Sequence, residues 1–202
     1  MQKGGVSMED ETLVRAFRAG NTGAFGQLYE RYKSQVLRTA FLIVGNHCDS
    51  ENVLQDSFIK VWKNLPGLKD PARFRPWLWR IVTRTAWEYC RRRDIEQPVE
   101  AVWDTCRMSE EQAQSSLDVI MQAENHKALL GAINELDLKQ RTVIVLYYYN
   151  ELSVQEIAAA TGALPGTVKS RLWAARRKLR RTLTAGEYFN GEVEPNETRS
   201  HA

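Results

Sequence analysis

The chain has 202 residues, enough for one medium domain or two small ones, and its 43% of hydrophobic residues argues against a wholly disordered protein. Its net charge of +3 identifies no class of partner by itself. Residues 1–6 lack the apolar core of a secretory signal. The apolar run at residues 40–44 is far shorter than the roughly 20 residues that cross a bilayer. We therefore expect a cytoplasmic chain with no stable membrane insertion.

The spacing of apolar residues predicts helices along the chain, because no alternating run is long enough for a sheet. A short first helix is predicted over residues 8–19. A long amphipathic helix follows and ends at Gly45, and Asp49 or Ser50 is expected to cap a third helix. A fourth helix is predicted over residues 76–92. The predicted fold class is therefore all-α.

A polar, acidic stretch divides the helical pattern into two parts. Residues 94–116 lack helical periodicity and contain a proline, which is typical of a linker. The sequence therefore predicts two small helical domains, at residues 8–93 and 117–183, joined by an acidic flexible linker. The polar tail at residues 184–202 is predicted to be disordered.

Charge is distributed unevenly along the chain. Residues 71–93 contain seven arginines and one acid, and residues 165–183 contain seven basic residues and no acid. Between these blocks, residues 94–124 contain eight acids and one base. Two basic blocks on either side of an acidic stretch predict two surfaces that bind a polyanion. The alternative is that both blocks are solvated helix faces.

The second basic block begins with the pattern of a helix-turn-helix. Ser153 and Glu156 form a capping-box pattern, Gly162 suits a sharp turn, and Pro165 suits the first turn of a second helix. Such a motif places its second helix in the major groove of DNA. The alternative is a basic helical hairpin that packs on another protein. The predicted DNA-binding side chains share the polar face of the second helix: Thr167, Lys169, Ser170, Arg171, Trp173, Arg176 and Arg177.

No pattern in the sequence favours an enzyme, a metal site or a cofactor. The three histidines are scattered, and a phosphate-binding glycine loop or a nucleophile with a partner base is not found. Cys48, Cys90 and Cys106 are odd in number and lack CxxC spacing, so we expect reduced thiols rather than disulfides or a zinc site.

Three segments of the second domain carry a resemblance to a known family. Residues 156–158 read Glu-Ile-Ala, residues 166–172 read Gly-Thr-Val-Lys-Ser-Arg-Leu, and residues 175–179 read Ala-Arg-Arg-Lys-Leu. Together they resemble region 4, the C-terminal domain, of the extracytoplasmic-function (ECF) sigma factors of bacterial RNA polymerase. The resemblance implies that this domain binds the −35 promoter element.

The first domain resembles region 2 of the same family. Residues 50–62 resemble the helix that docks on the clamp helices of the polymerase β′ subunit, whereas Phe58, Val61 and Trp62 within them are predicted to be core. The docking contacts implied are Leu54, Gln55, Asp56 and Ile59.

Residues 74–93 resemble the element that recognises and opens the −10 region. The contacts implied are Arg75, Trp77, Arg80, Arg84, Arg91 and Arg92. The candidates for stacking on unpaired bases are Trp77, Trp79 and Trp87. At least one of them is expected to face the core instead, and the sequence leaves open which.

As a whole, the resemblance implies an alternative sigma factor that directs transcription initiation from specific promoter DNA. The expected partners are core RNA polymerase, contacted at the β′ clamp helices and the β flap, and an anti-sigma factor. The remaining alternative is a stand-alone helix-turn-helix regulator that binds DNA without joining the polymerase.

Overall fold

A computed structural model describes residues 8–96 and 127–185, and these residues form helices joined by short loops, with no strand among them. The predicted all-α class is confirmed. The elements are α1 (Met8–Arg18), α2 (Gly23–Val44), α3 (His47–Asn64), two 3-10 turns (Leu65–Gly67 and Pro71–Arg73), α4 (Phe74–Glu96), α5 (residues 127–134), α6 (Leu138–Ile144) with its π-helical continuation (Val145–Tyr149), α7 (Val154–Thr161) and α8 (Pro165–Ala185).

The predicted cap of α3 is wrong. The helix begins at His47, and its N-cap is Asn46, whose side chain accepts a 2.8 Å hydrogen bond from the backbone N–H of Asp49. Asn46 has the extended backbone of an N-cap and follows Gly45 directly, which ends α2 in the left-handed conformation with φ of 84°. Asp49 and Ser50 therefore lie within the first turn, and the connection between α2 and α3 is two residues long.

The other predicted boundaries shift by a few residues. The first helix ends at Arg18, and α4 runs from Phe74 to Glu96, so the first three residues of the predicted linker belong to α4. Likewise, the first two residues of the predicted tail belong to α8. The rest of the linker and tail, together with residues 117–126 and Cys106, lie outside the described residues.

Helices α1–α4 form the first domain around an apolar core. The long helix α2 contributes Leu28 and Val36, α3 contributes Phe58, and α4 contributes Leu78 and Trp79. Trp79 is fully buried, whereas Trp77 and Trp87 are half-buried. The structure thus decides which of the three tryptophans faces the core.

Helices α5–α8 form the second domain, and it packs directly against the first. Its core includes Val143, Ile157, Val168 and Leu172, and this core is continuous with that of the first domain. Helix α7 lies against α4, while α6 and its π-helical continuation lie against α2. The two basic blocks of the sequence therefore belong to one packed body.

Candidate nucleic-acid interface

The capping box at the start of the helix-turn-helix is present in full. The Ser153 hydroxyl accepts a 3.3 Å hydrogen bond from the backbone N–H of Glu156, and the Glu156 carboxylate accepts a 2.8 Å bond from the backbone N–H of Ser153. At the other end of α7, Gly162 has a φ of 71°, a left-handed conformation that suits glycine. This turn directs the chain into α8, which begins at Pro165 as predicted.

Helix α8 presents one buried and one exposed face. Val168, Leu172 and Ala175 are buried, and α8 packs against α7 and α6. The predicted DNA-binding residues lie on the remaining surface: Lys169, Ser170, Trp173, Arg176 and Arg177 are exposed, and Thr167 and Arg171 are half-buried. All seven predicted DNA-binding residues therefore lie on α8, and the sequence of this helix contains no acidic residue.

Three cation–π contacts position two arginines of this face. The Arg177 guanidinium lies 5.4 Å from the ring centre of Trp173, which is 63% exposed. The Arg176 guanidinium lies 5.4 Å from the ring of Tyr147 and 5.5 Å from that of Tyr148, in the π-helical continuation of α6. Such cation–π contacts hold a guanidinium without neutralising its charge. Sequence reasoning did not assign Tyr147 and Tyr148 to this surface, although a run of three tyrosines was visible there.

Helix α4 carries the second basic surface. At about 100° per residue, Trp77, Arg80, Arg84 and Arg91 lie within roughly 60° of one another around the helix axis. The three arginines are exposed and Trp77 is half-buried. We call this set the α4 stripe. The acid on the same face, Glu88, forms a 2.8 Å ion pair with Lys60 of α3, which offsets its charge.

The other two predicted −10 residues lie away from the α4 stripe. Arg92 is exposed, and its guanidinium is 5.6 Å from the Tyr89 ring. Arg75 projects from the opposite side of α4 and donates a 2.5 Å hydrogen bond to the backbone carbonyl of Asn150 in the second domain. In this structure Arg75 is thus a contact between the domains.

The predicted docking residues lie along α3. Gln55 and Ile59 are exposed, and Leu54 and Asp56 are half-buried. Asp56 accepts a 2.9 Å hydrogen bond from the Tyr89 hydroxyl, so it also joins α3 to α4.

The prediction that Phe58, Val61 and Trp62 are core holds for the first two and is wrong for Trp62. Phe58 and Val61 are buried, but Trp62 is 43% exposed. Its ring packs against Phe17 of α1 and Phe25 of α2 in edge-to-face arrangements, at centroid distances of 4.9 and 4.8 Å. Trp62 lies three residues after the exposed Ile59, on the same side of α3, so its exposed part extends the apolar surface around Ile59.

Within residues 8–96 and 127–185, no group of three or more His, Cys, Asp or Glu is placed to hold a metal ion. Cys48 is exposed and Cys90 is buried. The described helices also include none that is long and apolar enough to cross a membrane.

The sequences of the two domains match two regions of the Sigma-70 family. Residues 28–95 match Sigma-70 region 2, and residues 126–179 match Sigma-70 region 4. The ECF RNA polymerase sigma factor SigM of Mycobacterium tuberculosis is 30% identical over 176 residues, which cover 86% of this chain and 84% of SigM. The chain belongs to the ECF family of RNA polymerase sigma factors.

Two further comparisons agree with this family. The ECF sigma factor SigW of Bacillus subtilis is 28% identical over 184 residues, covering 88% of this chain and 98% of SigW. The solved structure of CnrH in complex with the cytosolic domain of CnrY superimposes with a TM-score of 0.64 at 28% identity, covering 88% of this chain and 98% of CnrH. The α4 stripe lies within the region 2 match, and the exposed face of α8 lies within the region 4 match.

Proposed function

We propose that this ECF sigma factor binds core RNA polymerase and directs it to promoters through two DNA contacts, one in each domain. The observation that carries the proposal is the pairing, in one chain, of a complete helix-turn-helix with a region 2 domain that bears a second basic surface. A stand-alone regulator needs only the first of these. Sigma factors are transcription initiation factors, and we assign catalysis to the polymerase.

The exposed face of α8 is proposed to read the −35 element. A helix-turn-helix directs the N-terminal part of its second helix toward base edges, which suits Thr167, Lys169, Ser170 and Arg171. Arginine and lysine can pair with guanine edges, and serine and threonine can bond bases or phosphates. Further along α8, Arg176 and Arg177 are suited to phosphate contacts, and Trp173 can contact a thymine methyl group.

The α4 stripe is proposed to hold the opened −10 strand. Single-stranded DNA binds where basic side chains follow its phosphates and aromatic rings accept unstacked bases. Arg80, Arg84 and Arg91 provide the charge and Trp77 provides a half-buried ring beside them. Arg92 extends the positive surface at the end of the helix. Arg75 projects from the opposite side of α4, where it bonds the Asn150 carbonyl, so it is separate from this surface in the arrangement described.

The outer surface of α3 is proposed to dock on the polymerase. Ile59 is 51% exposed, and Gln55 lies one turn before it on the same face. Exposed apolar side chains on a helix are the kind of anchor that a partner helix covers. Leu54 and Asp56 lie at the edge of this patch.

An anti-sigma factor is proposed as a further partner, by analogy with CnrH, which was solved with the cytosolic domain of CnrY. An apolar cleft of about 660 Å³ lies between α2 and the second domain, and its lining includes Leu37, Phe41, Leu129, Ile133 and Tyr148. A partner helix with an apolar face fits such a surface. An isolated candidate partner should inhibit transcription by this factor, and Leu129→Glu should weaken that inhibition. Leu164→Glu, at an exposed leucine outside the cleft lining, is the matched control.

Run-off transcription with core polymerase tests the central proposal. The template is DNA from upstream of the factor's own gene, because sigma factors of this type often drive their own expression. A discrete transcript should appear only with the factor and should disappear with Arg171→Ala or Arg176→Ala. Arg15→Ala, which removes an exposed arginine of α1 paired with Glu11, should leave it unchanged.

The failure of transcription would be informative in either of two ways. A stable complex with core polymerase but no transcript would indicate the wrong template. No complex with core, together with tight binding of DNA by the chain alone, would contradict the sigma function and favour the stand-alone regulator.

A further inference from the structure

Arg176, on the exposed face of α8, lies against two tyrosine rings of its own domain. Its guanidinium is 5.4 Å from the ring centre of Tyr147 and 5.5 Å from that of Tyr148. Both distances fall within the roughly 6 Å over which an aromatic ring attracts a cation. The two rings also contact each other edge to face, with their centres 5.0 Å apart and their planes at 75°. We call Tyr147 and Tyr148 the tyrosine pair.

The π-helical continuation of α6 explains how two adjacent residues can contact one guanidinium. The backbone N–H of Asn150 donates a 3.1 Å hydrogen bond to the carbonyl of Val145, five residues earlier rather than four as in an α-helix. This bonding places more residues in the turn, so it reduces the angle between successive side chains, which is about 100° in an α-helix. Such π turns are rare and frequently occur at functional sites.

The contact leaves the charge of Arg176 available to a partner. Arg176 is exposed, and among the ion pairs of the described residues none includes it. Helix α8 itself contains no acid. Tyr148 is 58% exposed, so its ring contributes little to the apolar core. The tyrosine pair therefore restricts the movement of the guanidinium without neutralising it.

Restricting Arg176 in advance favours its contact with DNA. A free arginine side chain loses rotamer freedom when it is immobilised on a phosphate or a base, and this loss opposes binding. Arg176 lies seven residues after Lys169, about two turns further along the same side of α8. The tyrosine pair therefore flanks the proposed −35 face, beyond the N-terminal turns that are proposed to read bases.

We propose that the tyrosine pair positions Arg176 for recognition of the −35 element, so that the guanidinium meets the DNA already oriented. Tyr147 and Tyr148 act through Arg176 and are positioning residues rather than direct contacts. Their role rests on the proposed binding of DNA by α8. Because both rings and Arg176 belong to the second domain, the contact is made within that domain.

A double-mutant cycle with Arg176→Ala separates positioning from packing. The probe is a labelled duplex from upstream of the factor's own gene, and fluorescence anisotropy measures its binding to the full-length chain. Tyr147→Leu and Tyr148→Leu each remove a ring and should each weaken binding about two- to tenfold, the cost of immobilising one long side chain. In the Arg176→Ala background the same substitutions should change the affinity by less than about twofold, because the residue that they position is gone.

Salt dependence provides a readout that a merely structural role would not give. Arg176→Ala should reduce the slope of the logarithm of affinity against the logarithm of salt concentration by about one, since one phosphate contact is lost. The two leucine variants retain the arginine, so they should bind more weakly with the slope of the wild type. Phosphates are present on any duplex, so this measurement does not require the template to be the correct promoter.

Conservative variants and a matched control complete the design. Tyr147→Phe and Tyr148→Phe keep the ring and remove only the hydroxyl, so they should retain wild-type affinity. Tyr149→Leu removes the third ring of the same π turn, for which no cation–π contact is described, and it should also retain wild-type affinity. Urea unfolding verifies that every variant compared is folded.

Three results would overturn the positioning role. Equal losses with Tyr148→Phe and Tyr148→Leu would assign a direct DNA contact to the hydroxyl instead. Losses that persist in the Arg176→Ala background would mean that the rings act without the arginine. Wild-type affinity and slope for Arg176→Ala would remove that arginine from the DNA surface. If the factor drives no run-off transcript but the cycle shows coupling, the proposed sigma function fails, while the positioning of Arg176 on DNA is supported.

Discussion

The Tyr89 hydroxyl of α4 donates a 2.9 Å hydrogen bond to the carboxylate of Asp56 on α3. Partial burial raises the pKa of Tyr89, and the hydrogen bond to Asp56 adds to the effect. Asp56 is also one of the residues proposed to dock on the polymerase. A substitution that removes its side chain would therefore change both the packing of the two helices and the docking surface.

Asp56→Asn and Tyr89→Phe separate these two roles. Asparagine retains an oxygen that can accept the Tyr89 bond, so the free energy of unfolding should change by less than about 0.5 kcal/mol while core polymerase binds more weakly. Tyr89→Phe should lower the free energy of unfolding by about 1 kcal/mol and leave core binding unchanged. Urea unfolding and titration of labelled core polymerase provide the two measurements. Unaltered core binding by Asp56→Asn would remove Asp56 from the docking surface.

Trp173→Ala should weaken binding of the −35 duplex without destabilising the fold. The ring is 63% exposed, so little apolar burial is lost, and the change in unfolding free energy should stay within about 0.5 kcal/mol. Removing the ring also removes the surface against which Arg177 lies. Fluorescence anisotropy of a labelled −35 duplex measures the affinity.

The matched control for Trp173 is Leu164→Ala, which truncates a 76% exposed apolar residue immediately before α8. It should retain wild-type affinity for the duplex. Equal loss of affinity in the two variants would mean that the whole end of the domain, rather than the α8 face, contacts DNA.

Ser153→Ala should destabilise the chain by about 1 kcal/mol, because it removes the N-cap of α7 and leaves the Glu156 backbone N–H without its acceptor. Chemical unfolding followed by circular dichroism gives the value. Ser170→Ala is the control, since Ser170 is an exposed serine within α8 whose hydroxyl bonds the Thr167 carbonyl. Its effect should be below about 0.5 kcal/mol. Equal effects of the two substitutions would argue against a specific capping contribution.

Tyr32→Phe should make stability less dependent on alkaline pH. Burial raises the pKa of the Tyr32 hydroxyl, and its 2.5 Å hydrogen bond to Asp10 raises it further. Because the folded chain disfavours the tyrosinate, this group's contribution is fully present below the pKa of the unfolded chain, near 10, and is lost as pH rises above it. The loss of unfolding free energy between about pH 8 and pH 11 should thus be smaller in Tyr32→Phe than in the wild type.

Urea unfolding at the two pH values measures this difference. Tyr148→Phe, at an exposed tyrosine, is the control and should follow the wild-type pH dependence. The assignment to Tyr32 would be wrong if Tyr32→Phe lost as much stability as the wild type over the same interval.

Local features of the fold were predictable because their causes lie within a few residues. The capping box at Ser153, the turn at Gly162 and the end of α2 at Gly45 each depend on side chains or glycines at adjacent positions. The N-cap of α3 was predicted wrongly because three neighbouring residues, Asn46, Asp49 and Ser50, all have side chains that cap helices well. The backbone conformation that selected Asn46 follows from the end of the preceding helix.

The sequence by itself determined the helices, the helix-turn-helix and the two basic faces, and its motifs identified the family, because periodicity and capping act over short distances. Only the tertiary structure decided which faces meet. It buried Trp79 and left Trp62 at the surface, and it used Arg75 between the domains. It also paired Asn150 with Thr39, which lies 111 residues away in the chain. Such long-range pairs depend on how two apolar surfaces fit together, and no spacing along the chain records that fit.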